Sequence, residues 1–135
     1  MMRFDHIGLF VENLNYGYDQ LAKLFNIARK SDVYNDPLLK VSVQFLYDET
    51  GICYEIIAPY GEGNPVDAVL RSKSRILNHI AYKTNHFEKS VVDLRHAGCI
   101  PLGKPQPAIA FCNAKVIFFL SPLNIIFELI EDKHG

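Results

Sequence analysis

Phe4-Asp5-His6-Ile7-Gly8-Leu9-Phe10-Val11 is an apolar, strand-like stretch that carries one histidine near the start of the chain. A second stretch, Leu77-Asn78-His79-Ile80-Ala81-Tyr82-Lys83-Thr84, reads the same way and puts His79 73 positions after His6 (79 − 6). Each stretch precedes a helix-like segment and then apolar segments that close on a glutamate, Tyr54-Glu55-Ile56-Ile57 first and Phe127-Glu128-Leu129-Ile130 second. Glu128 follows Glu55 by the same 73 positions (128 − 55). A fixed offset of this kind signals duplication of one supersecondary unit. That two ionisable residues inside apolar strands share it turns a folding pattern into a candidate site.

Between these anchors the chain alternates in a regular way. Asn13 or Asn15 is placed to cap a helix, whose apolar stripe is Leu14, Tyr18, Leu21, Leu24 and Phe25. Residues 29–39 are polar and contain Pro37, which suits a weak edge strand or a loop at the rim of a site. Val41, Val43 and Phe45 then alternate with Lys40, Ser42 and Gln44, and the turn Asp48-Glu49-Thr50-Gly51 leads into a strand bearing Glu55. Pro59 to Pro65 reads as a linker, followed by a short helix through about Lys73 with Asn64 as cap and Pro65 in its first turn. After the His79 strand, Asn85 and Glu88 form a capping-box-like helix start; Phe87, Val91, Leu94 and Ala97 give its stripe, and Gly98 ends it. Pro101 to Pro107 is expected to be loop, and two strands over about 114–121 and 124–131 finish the chain around Ser121-Pro122-Leu123-Asn124.

The expected architecture is α+β: one domain over 1–135, with one module over about 1–60, a linker and short helix over about 61–75, and a second module over about 76–132. Two such sheets bury their apolar faces by closing into an incomplete barrel with the helices outside. Residues pointing into that trough would converge.

Composition narrows the function. A net charge of −1 with interspersed signs gives no electrostatic case for nucleic acid. The longest apolar runs, such as Val116-Ile117-Phe118-Phe119-Leu120, are too short to cross a bilayer, and the N-terminus has no signal-like pattern. Cys53, Cys99 and Cys112 form no CxxC pair, so reduced thiols in a cytoplasm are expected.

Two imidazoles and two carboxylates, His6, Glu55, His79 and Glu128, suit a borderline divalent cation: Zn²⁺, Co²⁺, Ni²⁺, Mn²⁺ or Fe²⁺. The competing reading puts each glutamate at a solvated strand end and makes each histidine a satisfied half-buried residue. The shared offset favours the metal. His86, His96 and His134 have no such partners and read as surface residues.

The pattern resembles the vicinal-oxygen-chelate superfamily, which holds glyoxalase I, bleomycin-resistance proteins, extradiol dioxygenases and methylmalonyl-CoA epimerase. It is most similar to the epimerase. The likeness rests on Phe4-Asp5-His6-Ile7-Gly8, Ala58-Pro59-Tyr60-Gly61 with Asn64-Pro65-Val66, Leu77-Asn78-His79-Ile80-Ala81, Lys115 to Pro122 and Phe127-Glu128-Leu129. It implies a glyoxalase-like fold of tandem βαβββ modules and metal ligation at His6, Glu55, His79 and Glu128. It further implies a metal-dependent isomerase or epimerase that moves a proton alpha to a carbonyl, with an acyl-CoA thioester such as methylmalonyl-CoA as a candidate substrate. Glu128 is then the first choice of catalytic base. Gln44 lies on the strand where some epimerases carry a second catalytic glutamate; its amide can bond a substrate oxygen but cannot take up a proton as a base. A glyoxalase I-type lactoylglutathione lyase and a non-catalytic protein that binds an antibiotic or metabolite are the alternatives. Lys115 is a candidate anion contact. The expected partner is a small molecule, with a homodimer plausible because open sheet edges invite cover by a second chain.

Overall fold

The computed structural model describes residues 2–71 and 78–133. Contacts divide the chain into two units, Met1–His6 with Asn78–Gly135, and Ile7–Leu77, so the first strand serves both.

The Ile7–Leu77 unit is built on that strand, β1 (Arg3–Phe10), and on β2 (Ile27–Lys30), β3 (Tyr34–Asp36), β4 (Val41–Asp48) and β5 (Cys53–Pro59). They run in the order β2-β4-β5-β1, with β3 also on β4. β1 and β5 are parallel and the hairpin β4–β5 is antiparallel, with Phe45 opposite Glu55. Helix α1 (Leu14–Leu24) starts where the Asn13 side chain accepts the Tyr16 amide. Its Leu21 packs on Leu46 and Ile56, joined by Leu14, Tyr18, Leu9 and Ile27. The expected stripe is therefore right except at its end: Leu24 is 73% exposed, and Phe25 leaves the helix to stack on Tyr54. Gly17 is required by contact, since a Cβ there would sit 2.9 Å from Val11 Cγ1. The polar 29–39 segment contributes the two short strands β2 and β3. Helix α2 (Pro65–Arg71) begins as anticipated, with Asn64 Oδ1 accepting the Val66 and Asp67 amides. The continuation expected to about Lys73 falls outside the described residues.

The other unit repeats the plan with β6 (His79–Thr84), α3 (Phe87–His96), β7 (Ile100–Pro101), β8 (Gln106–Ala108), β9 (Ala114–Leu120) and β10 (Ile126–Glu131). The strand order is β6-β10-β9-β7, with β8 also on β9; β6 and β10 are parallel, and β10 and β9 antiparallel. Phe87 of α3 packs with Ile117, Phe119 and Leu129, and Val91 and Leu94 extend that contact. Two expectations are corrected here. The Asn85–Glu88 capping box does not form: His86 is the cap, and its amide is taken by Thr84 Oγ1, while Asn85 Oδ1 accepts from Arg3. The Pro101–Pro107 segment is not all loop either. Pro101 and Pro107 lie within β7 and β8, which is compatible with proline because each is an outlying strand paired only to β9.

The fold is thus the α+β, glyoxalase-like arrangement of βαβββ modules. No helix among the described residues is long and apolar enough to cross a membrane. Cys53, Cys99 and Cys112 form no disulfide.

Candidate metal centre

Register explains how each glutamate meets its face. In a parallel pair, residues opposite each other project to the same side, and i, i+2 neighbours on one strand share a face. Glu128 lies opposite Ala81, two residues past His79 on β6. Glu55 lies opposite Gly8, two residues past His6 on β1. The repeat extends to the next strand, where Phe118 stands opposite Glu128 and Phe45 opposite Glu55. All four ionisable residues are buried, none more than 5% exposed. Neither glutamate is at a solvated strand end.

His6, His79 and Glu128 belong to one unit and meet in a small triangle. The two Nε2 atoms are 3.2 Å apart, and Glu128 Oε1 lies 3.2 Å from His6 Nε2 and 3.1 Å from His79 Nε2. A tetrahedral ion with bonds of about 2.05 Å holds neighbouring ligand atoms about 3.3 Å apart, and an octahedral one at about 2.1 Å holds them about 3.0 Å apart. The triangle falls between those values, so the three atoms fit a shared cation.

Two residues that sequence reasoning missed orient the rings. His6 Nδ1 is 2.7 Å from Asp5 Oδ2, and His79 Nδ1 is 2.7 Å from Asn78 Oδ1. An oxygen that only accepts fixes the hydrogen on Nδ1 and leaves the Nε2 lone pair free for a metal. The signal was in the sequence as a polar residue immediately before each histidine. Burial pushes the Asp5 carboxyl up, but His6 and Lys83 pull it below its ordinary value overall. Phe111 stacks on the His6 ring at 5.8 Å, and Phe118 meets the His79 ring edge-on at 5.3 Å. These apolar walls keep the imidazoles in place.

The electrostatics of the triangle demand a positive charge. With both Nδ1 hydrogens directed to Asp5 and Asn78, both Nε2 atoms of neutral rings are acceptors, and so is the carboxylate. Glu128 Oε1 is buried and has no hydrogen-bond donor. Burial pushes the Glu128 carboxyl up, yet the two imidazoles outweigh it and hold it at about 2. The donor set of imidazole and carboxylate suits a divalent transition metal.

Gln44 is placed elsewhere. It stands opposite Ile56, whose side chain packs toward α1, and its Nε2 donates to the Ser31 carbonyl. The β4 residues that share the Glu55 face are Val41, Val43, Phe45 and Tyr47, of which Tyr47 alone carries an ionisable group. Lys115 is held by Glu88 at 2.8 Å and approaches Glu131 at 3.8 Å, so it is not a free cation. His86 and His96 are exposed as expected, and His134 lies outside the described residues.

A family model for the Glyoxalase/Bleomycin resistance protein/Dioxygenase superfamily matches residues 5–118. The chain is similar to an uncharacterized protein of Bacillus subtilis strain 168, with 27% identity over 139 residues, 98% of this chain and 94% of that one. Among solved structures, it resembles a hypothetical protein from Bacillus halodurans with a TM-score of 0.76 and 20% identity, over 99% of this chain and 96% of the other. It also resembles methylmalonyl-CoA epimerase from Mycobacterium tuberculosis with a TM-score of 0.77 and 16% identity, over 95% of this chain and 86% of the other. At these identities the structural likeness speaks for the fold alone.

Proposed function

The chain belongs to the glyoxalase/bleomycin resistance protein/dioxygenase superfamily, and from that membership and the buried triangle we propose that it is a metal-dependent enzyme that moves a proton on the carbon beside a carbonyl. The observation that carries this is Glu128 Oε1, a buried carboxylate oxygen with no donor, facing two imidazole nitrogens.

We assign His6, His79 and Glu128 as metal ligands, with Glu55 as the fourth. Support for Glu55 is the internal repeat: it bears the same register to His6 that Glu128 bears to His79. A bound divalent cation supplies polarisation of the substrate carbonyl, which acidifies the neighbouring C–H bond. The chain's own contribution is a base held ready. Glu128, at about 2, is ionised at neutral pH, and the rings of Phe111 and Phe118 shield its histidine partners from water. Glu128 takes the proton and returns it.

A methylmalonyl-CoA epimerase shares this fold, which makes an acyl-CoA thioester the first substrate class to test. Epimerisation by two bases needs a second proton carrier on the opposite side of the substrate. On the Glu55 face of β4, Val41, Val43 and Phe45 are apolar and Tyr47, at the end of the strand, is the one group that carries a proton. No carboxylate or imidazole stands on that face of β4, which favours, as a second reading, a one-base shift of the glyoxalase I type on a thiol adduct of an α-oxoaldehyde. Three cysteines outside any disulfide fit a reducing cytoplasm as the place of action.

The test is exchange of the α-proton in deuterated water, followed by NMR with Co²⁺ or Ni²⁺ supplied. Methylmalonyl-CoA and the hemithioacetal of methylglyoxal with glutathione are the two substrates. Metal-dependent exchange of either, abolished in Glu128→Gln, is the expected result. Exchange of neither, or exchange unchanged in Glu128→Gln, would refute the proposal.

A further inference from the structure

Lys83 is a cation on the face of the sheet that carries the candidate ligands. On β6 it lies four residues past His79, so the two side chains leave the strand on one side. It stands opposite Ile130, two residues past Glu128 on β10, which puts it on the Glu128 side as well. A positive charge there opposes the arrival of a divalent cation, so its presence calls for a reason. The reason lies in its contacts. Lys83 Nζ is 3.4 Å from Asp5 Oδ1, and the other oxygen of that carboxylate, Oδ2, is 2.7 Å from His6 Nδ1. Lys83 Nζ also lies 5.8 Å from the centroid of the Phe111 ring, the same ring that stacks on His6 at 5.8 Å. Lysine, aspartate and imidazole form one chain of contacts, entirely within the unit of Met1–His6 and Asn78–Gly135.

The duplication sets this chain of contacts apart. The residue 73 positions after Asp5 is Asn78 (5 + 73), and the residue 73 positions before Lys83 is Phe10 (83 − 73). His79 is thus oriented by a neutral amide, whereas His6 is oriented by a carboxylate that comes with its own cation. A carboxylate engaged through both oxygens loses its freedom to rotate, and an acceptor that cannot rotate holds the ring in one tautomer and one orientation. The Asp5 and Lys83 side chains are 22% and 36% exposed, so water competes for the pair and its strength is that of a partly screened one.

We propose that Lys83 is a positioning residue for the metal centre: by holding Asp5 it locks His6 with its hydrogen on Nδ1 and its Nε2 toward the ion, leaving His6 the more rigid and His79 the more adaptable of the two imidazole ligands. This rests on the metal-dependent reading above and adds to it a residue outside the donor set.

Two measurements on the full chain test it. In the metal-free protein, NMR of the ring N–H groups follows exchange of each Nδ1 hydrogen with water. Lys83→Met should speed that exchange at His6 about two- to fivefold, the loss of one partly exposed ion pair, and leave His79 unchanged. Lys83→Arg, which keeps the charge, should stay near the wild type. Equal acceleration at both rings, which is general loosening, or none at His6 overturns the lock. The second measurement is Co²⁺ affinity by chelator competition in the wild type, Lys83→Met, Asp5→Asn and the double variant. Direct repulsion between Lys83 and the ion is the same in both backgrounds and cancels, so the lock is read as a difference. Lys83→Met should weaken binding about two- to fivefold more in the wild type than in Asp5→Asn. An equal effect in the two backgrounds overturns the positioning role. No Co²⁺ uptake by the wild type overturns the metal reading and the positioning role with it, whereas the exchange rates separately show whether the lock on His6 exists.

Discussion

Cation binding at the His6–His79–Glu128 triangle should appear as heat stability. In the metal-free protein the triangle brings three acceptor atoms together, with Nε2 and Oε1 atoms 3.1–3.2 Å apart. A ligand that binds only the folded state stabilises it by RT ln(1 + [L]/Kd), about 2.7 kcal/mol at a hundredfold excess over Kd. For a chain of 135 residues each kcal/mol moves the midpoint by roughly 3 °C, so the expected rise is about 8 °C. His79→Ala removes one corner. Loss even of a residue that only orients a ligand costs about 10–100-fold in affinity, so loss of the ligand itself should cost at least a hundredfold. At the same concentration the cation would then contribute about 0.4 kcal/mol, a rise of roughly 1 °C. Scanning calorimetry of chelator-treated protein with Zn²⁺, Co²⁺, Ni²⁺ or Mn²⁺ added singly reads both numbers, and Fe²⁺ needs the same scan without oxygen. A wild type indifferent to all five ions, or a His79→Ala variant that gains as much as the wild type, would defeat the assignment.

Three other outcomes are expected. Asp5→Ala frees the His6 ring from its 2.7 Å contact and should weaken Co²⁺ binding about 10–100-fold in a competitive chelator titration, without changing the ligand atoms. Gly17→Ala places a methyl 2.9 Å from Val11 Cγ1 and should lower stability in urea by about 1–3 kcal/mol, partly recovered by Val11→Ala in the same chain. Glu128 is held at about 2, below its ordinary 4.5, so its ionic contribution is fully present above 4.5 and is lost as pH falls through about 2. Acid unfolding in chelator should therefore steepen across that window in the wild type and flatten in Glu128→Gln.

Much of this was visible in the residues themselves. The offset of 73 placed both histidines and both glutamates, and alternation placed Val41, Val43 and Phe45 on one face. Asn13 and Asn64 announced their helices because the side-chain acceptor and the amides it serves are neighbours in sequence. The Asn85 cap failed because α3 starts one residue later than the pattern suggests, with His86 as its cap, and Asn85 Oδ1 accepts from Arg3, a residue distant in sequence. The strands at Pro101 and Pro107 were missed because proline's defect is harmless on a strand paired along one side, a fact about neighbours rather than composition.

By itself, then, the sequence determined the duplication, the chemistry of the donor set and the period of each element, because these depend on residue type and local spacing. Tertiary structure alone decided which face of each strand met which chemistry. Gln44 went to the helix side through its pairing with Ile56, and Arg29 went to the Glu55 side, over the Tyr47 ring, through a β-bulge at Ala28. The physical reason is the two-residue period of a strand: a single step in register exchanges its two faces, and that step is fixed by hydrogen bonds to a strand distant in sequence.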